Sequence, residues 1–244
     1  MGLISDGRKA LALVRRAVRG RAAARDVRAR LGRQGPAPSD HYRVAVYFAD
    51  GEVNMYQIRQ WYRPLEHLAR TWPVVVLARN ATGARALLSD GALPVAFVPT
   101  VRDLEEYIAG QDIRVVLYVN QNTRNFQMFR YGRRWHVFIN HGESDKMYMT
   151  TNQFKAYDVA FVAGEAARQR LARVLWDYDL DTRTMQIGRP QAHGVQDSAR
   201  ERDRLRLDAR HGRVETVELP QVDALHAEVA DELLDVGDVV IQPE

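Results

Sequence analysis

Cysteine is absent from the 244 residues, which excludes disulfide staples, thiolate zinc sites and a cysteine nucleophile. The absence suits a reducing compartment without requiring one. Long apolar runs are lacking too: no stretch of about 18 apolar residues occurs, so nothing reads as a membrane span. Arginine repeatedly breaks the first apolar stretch, which argues against a signal peptide. Three motifs are also missing. No GxGxxG follows the first strand-like run, where Asp50-Gly51-Glu52-Val53-Asn54 stands instead, and neither GxxxxGK[ST] nor HExxH occurs. Nicotinamide dehydrogenases, P-loop kinases and zinc proteases lose support accordingly. No internal repeat is visible, and no cofactor is expected.

Hydrophobic residues make up 46% of the chain, enough for a core and too many for global disorder. Charge is unevenly spread. Residues 1–34 hold ten basic side chains against Asp6 and Asp26, a net +8, and the rest of the chain carries −4. Basicity therefore belongs to an arm and not to the surface of the body. The arm reads as a helix, alanine-rich and free of proline, with Leu3, Ile4, Leu11, Val14 and Val18 near 3.6-residue spacing. Three readings stand: a helix lying on anionic lipid, a solvated helix, or a contact with nucleic acid or another acidic partner. The apolar stripe beside the arginines favours an anionic membrane surface, held reversibly because the stripe is thin. No nucleic acid is expected.

Gly35-Pro36-Ala37-Pro38-Ser39-Asp40 breaks the helix and marks a linker. Beyond it, strand-like runs fall at Arg43–Ala49, Val74–Ala78, Val95–Val98, Ile113–Val119, Trp135–Asn140, Val159–Ala163 and Met185–Ile187. Helical stretches lie between several of them, at Tyr56–Thr71, Ala81–Ser89, Arg102–Ala109 and Glu165–Asp177. Short β-branched runs alternating with helices predict an α/β fold with a parallel sheet covered on both faces. The chain thus divides into an arm and linker over 1–36, a Rossmann-like domain over 40–190, and a charged tail over 191–244.

In an open α/β sheet, ligands bind beyond the carboxyl ends of the strands. The polar loops there are Asp50 to Asn54, Asn120 to Asn125, His141 to Lys146, Gly164-Glu165 and Gly188-Arg189-Pro190. Amides such as Asn120 and Asn122 suit a polyol or a phosphate. The loop His141-Gly142-Glu143-Ser144-Asp145-Lys146 is the most informative. Gly142 permits a sharp turn that exposes the His141 imidazole, a group able to move protons near neutral pH. Lys146, near the start of the next helix, suits an anion. A polar turn whose histidine bonds a carbonyl, and a metal site using His136, His141, Glu143 and Asp145, are the competing readings. No i, i+4 pair organises those ligands, so no metal is expected.

The run from Asn140 through Lys146, followed by Met147-Tyr148-Met149, Asn152 to Asp158 and Phe161-Val162-Ala163-Gly164, resembles the CDP-glycerol:poly(glycerophosphate) glycerophosphotransferase family of teichoic-acid synthesis. That family's HGxxxK core is matched at His141, Gly142 and Lys146, most strongly within 135–190. The resemblance implies the N-terminal, acceptor-side half of a GT-B fold. It implies His141 as the base that activates an acceptor hydroxyl, which attacks the β-phosphorus of CDP-glycerol and releases CMP. Gly142, Ser144, Lys146, Asn120, Asn122 and Arg189 would bind substrate or phosphate. Its partners would be CDP-glycerol and a lipid-linked glycerophosphate polymer, and its location peripheral, at the cytoplasmic face of the plasma membrane. Gly188-Arg189-Pro190-Gln191-Ala192-His193 departs from the family's usual Gly-x-Pro-Arg-x-Asp, and the tail after it is expected to form an incomplete second domain. Two alternatives follow: an acceptor-binding protein without turnover, and a sugar transferase using another nucleotide donor.

Overall fold

A computed structural model describes residues 2–141 and 151–188, with side chains from residue 11 onward. Seven parallel strands form one sheet in the order β3-β2-β1-β4-β5-β6-β7. They are β1 (Val44–Phe48), β2 (Val74–Ala78), β3 (Val95–Phe97), β4 (Val115–Tyr118), β5 (Trp135–Phe138), β6 (Val159–Val162) and β7 (Thr184–Gln186). Each lies within or beside one of the runs expected from β-branched composition. The inner strands β1, β2 and β4 are buried along their whole length, as a sheet covered on both faces demands. This is the Rossmann-like α/β arrangement expected from the sequence, preceded by a helix.

Two cores flank the sheet. On one side Val46, Phe48, Val76, Leu117 and Val137 meet helices α1 (Gly2–Gln34), α2 (Met55–Arg59), α3 (Tyr62–Leu68) and α4 (Ala81–Asp90). On the other, Tyr47, Leu77, Tyr118 and Phe138 meet α5 (Val101–Ala109) and α6 (Glu165–Val174). A last short helix, α7 (Leu180–Arg183), leads into β7. Thr100 and Asp103 form a reciprocal capping box at the start of α5, an arrangement that contributes about 1 kcal/mol.

The single helix expected over Tyr56–Thr71 is instead two, α2 and α3, parted at Gln60–Trp61. Pro64 supplies the reason. It has no N–H to give the carbonyl of Gln60, and its ring would crowd that oxygen in a continuous helix. The break is braced from outside: Arg59 grips Asp90 with two hydrogen bonds at 2.8 and 2.9 Å, and the Tyr62 hydroxyl donates to the same carboxylate at 2.8 Å. Those bonds hold the Asp90 carboxyl below its ordinary range.

The basic arm is helical as expected, but its C-terminal half docks on the domain. Ala23 and Val27 are fully buried, and Arg30 reaches Ser89 of α4 at 3.2 Å. Burying a valine side chain is worth about 1.5–3 kcal/mol. Val18 lies about two and a half turns from Val27, so it points the opposite way. Leu11, Val14 and Val18 accordingly remain exposed.

Asn80 caps α4, its side chain accepting from the amides of Thr82 and Gly83. Gly83 is also where the helix passes the loop after β1, and a Cβ there would run into the Asp50 backbone oxygen. Backbone cannot swing aside as a flexible side chain can. Gly83→Ala should therefore destabilise the domain by about 1–3 kcal/mol, the usual scale of overpacking, despite alanine's better helix propensity. Thermal unfolding checks this, and an unchanged or raised midpoint would show that the loop gives way.

Candidate functional site

The strand order reverses between β1 and β4, which pair in parallel from Val44↔Val115 to Tyr47↔Tyr118. Connections leave that reversal toward opposite sides, so a crevice opens at the carboxyl ends. Asp50 follows β1 there, and Asn120 follows β4. Asn120 is 6% exposed and donates its amide hydrogens to the Asp50 carboxylate and to Gln57 Oε1. Asn54 donates to the other Asp50 oxygen at 3.1 Å. Gln57 in turn donates to the Tyr56 hydroxyl at 3.3 Å, and the Tyr56 ring stands edge-on to His141 with centroids 5.8 Å apart. A hydrogen-bonded chain thus runs from Asp50 to the Tyr56 hydroxyl, and the Tyr56 ring packs beside the histidine.

His141 follows β5 and is half-buried. Its neighbour Asn140 adopts a left-handed backbone with φ 56°, a conformation asparagine tolerates better than most residues. That turn is held from three sides. The Asn140 side chain accepts from the His141 amide at 2.8 Å, the Trp61 indole N–H donates to the Asn140 carbonyl, and the His141 ring reaches back to β4. There, Nδ1 lies 2.9 Å from the Val119 carbonyl oxygen. A carbonyl only accepts, so in the neutral ring Nδ1 carries the hydrogen and Nε2 keeps its lone pair. The ring is oriented as a proton acceptor.

The amides chosen from the sequence take different parts. Asn120 stands at the site, but its hydrogens are committed to Asp50 and Gln57, so it positions a carboxylate. Asn122 caps the short 3-10 turn Thr123–Gln127 by accepting from the Arg124 amide at 2.9 Å, and its carbonyl accepts from Gln153 at 3.2 Å. Its role is to shape the loop. Gly142, Ser144, Lys146 and Arg189 lie outside the described residues, as do Glu143 and Asp145. Sequence reasoning placed Asp50 in a polar loop at the carboxyl edge without choosing it as a site residue, and it missed Tyr56, Gln57 and Trp61. For Asp50 a signal was present, as the first polar residue after the first strand. The others come from a helix pair whose aim depends on the break at Pro64.

His136 lies apart from His141. It sits within β5, 7% exposed, with Nδ1 2.7 Å from the Tyr118 hydroxyl and Nε2 3.4 Å from the Tyr131 carbonyl. Burial keeps Tyr118 protonated, so its hydroxyl donates to Nδ1, and Nε2–H faces the Tyr131 carbonyl. Among the described residues no cluster of three or more His, Cys, Asp or Glu could hold a metal ion. Neither a family model nor a curated protein matches this chain.

Burial pulls the His136 pKa below 6.5, outweighing the upward pull of Asp158, and Arg134 adds a smaller downward push. Below that ordinary value the unfolded chain takes up a proton that the folded ring resists, so stability falls as pH falls. The unfolding midpoint should drop between about pH 7 and about pH 5, with a shallower slope in His136→Gln. Equal slopes in parent and variant would assign the dependence to other groups.

Proposed function

We propose that this chain is the acceptor-side, Rossmann-like domain of a glycerophosphotransferase-like enzyme of cell-envelope polymer synthesis. It would transfer glycerol phosphate from CDP-glycerol to the hydroxyl of a lipid-linked or polymeric acceptor. One observation carries the reading: His141 is anchored through Nδ1 to Val119, with Nε2 left as an acceptor at the carboxyl edge of a parallel sheet. The HGxxxK resemblance supplies the substrate class.

The acceptor hydroxyl gives its proton to His141 Nε2 as its oxygen attacks the β-phosphorus of CDP-glycerol. A new P–O bond forms, the bond between that phosphorus and the CMP oxygen breaks, and CMP leaves with the electron pair. Asp50, held by Asn54 and Asn120, is placed to accept from a neighbouring hydroxyl of a polyol and so orient it. Orientation of this kind supplies much of the rate in group transfer. His141→Ala should lower acceptor-dependent CMP release by about 10²–10⁴-fold, the usual loss on removing a general base, with circular dichroism unchanged. CMP release from the variant equal to that of the parent would remove His141 from the reaction. Nucleotide release from nucleotide sugars, and not from CDP-glycerol, would instead assign a sugar transferase.

The same reading includes a peripheral site at the cytoplasmic face of the membrane. No described helix is long and apolar enough to cross one. Support comes from the outer face of α1, where exposed Leu11, Val14 and Val18 fall at i, i+3 and i+7 with Arg21 and Arg25 beside them. Apolar contact and arginine at the headgroups act together on such a helix. The full chain should bind vesicles containing phosphatidylglycerol, less so as salt rises, and Leu11→Ser/Val14→Ser/Val18→Ser should reduce that binding. Indifference of the parent to these vesicles at low salt would overturn the membrane part of the proposal.

A further inference from the structure

Where α1 passes the carboxyl edge of the sheet, it does not close against it. A cleft of about 980 Å³ lies between them, walled on the helix side by Arg15, Arg16 and Arg19. Its other wall is the loop after β1 and the first turns of α4, with Asn80, Thr82 and Arg85. That volume is at the upper end of ordinary ligand pockets and far exceeds the space needed by one small ion.

The charges in the cleft are not balanced. Asp50 and Glu52 also line it. The Asp50 carboxylate accepts from the neutral amides of Asn54 and Asn120 and keeps its charge, and Glu52 pairs with Arg85 at 3.3 Å, so the three arginines leave the cleft with a net positive charge. No hydrogen bond or ion pair joins Arg15, Arg16 or Arg19 to another described residue. The arginines further along the helix behave otherwise. Arg28 lies over the Phe97 ring at 5.8 Å, and Arg30 is tied to Asp26 and Ser89. Those two serve the docking of α1, whereas the three at the cleft make no hydrogen bond, ion pair or ring contact among the described residues. The positive end of α4 faces the same space, which adds to the preference for negative charge.

We infer that this cleft is an anion-binding site for a phosphate-bearing chain, with Arg16 and Arg19 gripping its phosphoryl oxygens. Guanidinium groups match phosphate in a bidentate fork, and a volume of about 980 Å³ leaves room for several linked phosphates. Thr82 and Asn80 supply polar atoms suited to the hydroxyls of such a chain. The site stands on its own observations and does not depend on the transfer reaction, because its readout is binding and not CMP release. Two sources share this chemistry: a soluble phosphate chain and the headgroups of an anionic lipid.

The test is calorimetric titration of the full chain with sodium tripolyphosphate at low ionic strength. Two paired variants are compared, Arg16→Ala/Arg19→Ala at the cleft and Arg63→Ala/Arg70→Ala on and just after α3, outside its lining. All four side chains are exposed, and circular dichroism verifies the fold of each variant. The parent should bind, the cleft pair should weaken binding by about 100-fold, the scale of two lost charge-assisted contacts, and the other pair should change it little. Equal weakening by both pairs would reduce the effect to net charge and overturn the site, as would no binding by the parent. A second arm replaces tripolyphosphate with phosphatidylglycerol vesicles. Loss of vesicle binding in the cleft pair alone assigns the site to headgroups. Loss of tripolyphosphate binding with vesicle binding retained assigns it to a soluble chain.

Discussion

The chain leaves β1 toward one side of the sheet and comes back at β4 to run toward the other. At that reversal the connections diverge to opposite faces, and polar groups gather at the carboxyl ends. The parallel register from Val44↔Val115 to Tyr47↔Tyr118 sets Asp50 against Asn120, and the next pairing, from Val115↔Trp135 to Tyr118↔Phe138, sets Asn140 and His141 beside Val119. The strand-end residues of the candidate site inherit their positions from these two ladders. The sheet is buried on both faces, so a one-residue slip would exchange its two cores. The register is accordingly fixed by the same burial that stabilises the fold.

Within that frame the histidine is aimed by backbone atoms. Val119 is a buried residue just after β4 with no chemistry of its own, yet its carbonyl decides which imidazole nitrogen bears hydrogen. The left-handed turn at Asn140 carries the ring there, and the Trp61 indole secures the turn. Trp61 sits at the break that Pro64 imposes between α2 and α3. A proline on a surface helix thus reaches the candidate site through one indole, and a local backbone rule becomes a feature of the sheet's carboxyl edge. Polar networks of this kind tie their members to a single arrangement.

Much of this was legible in the residues themselves. All seven strands follow from short β-branched runs separated by turn residues, and the polar loops at their ends lie at the carboxyl edge of the sheet. His141 stood out because Gly142 follows it in a polar loop after a strand. What the sequence concealed was long-range. Asn120 was chosen as a substrate amide, and only the fold shows that its amide hydrogens meet Asp50 and Gln57. The docking of α1 rests on Ala23 and Val27, too small and too sparse to stand out against ten basic residues. The division of its arginines between packing and an open cleft depends on which face meets α4, and helical periodicity alone leaves that choice open.

The central claim is that the fold presents His141 as a base, with hydrogen on Nδ1 and a lone pair on Nε2. Nitrogen chemical shifts of the imidazole in ¹⁵N-histidine-labelled protein, assigned with a His141→Gln control, report the tautomer directly at a pH where the ring is neutral. The account predicts a protonated Nδ1 and a pyridine-like Nε2 for His141, with the opposite tautomer at His136, where the Tyr118 hydroxyl donates to Nδ1. Hydrogen on Nε2 of His141 would mean that the Val119 carbonyl does not orient the ring, and the account of the site would fail.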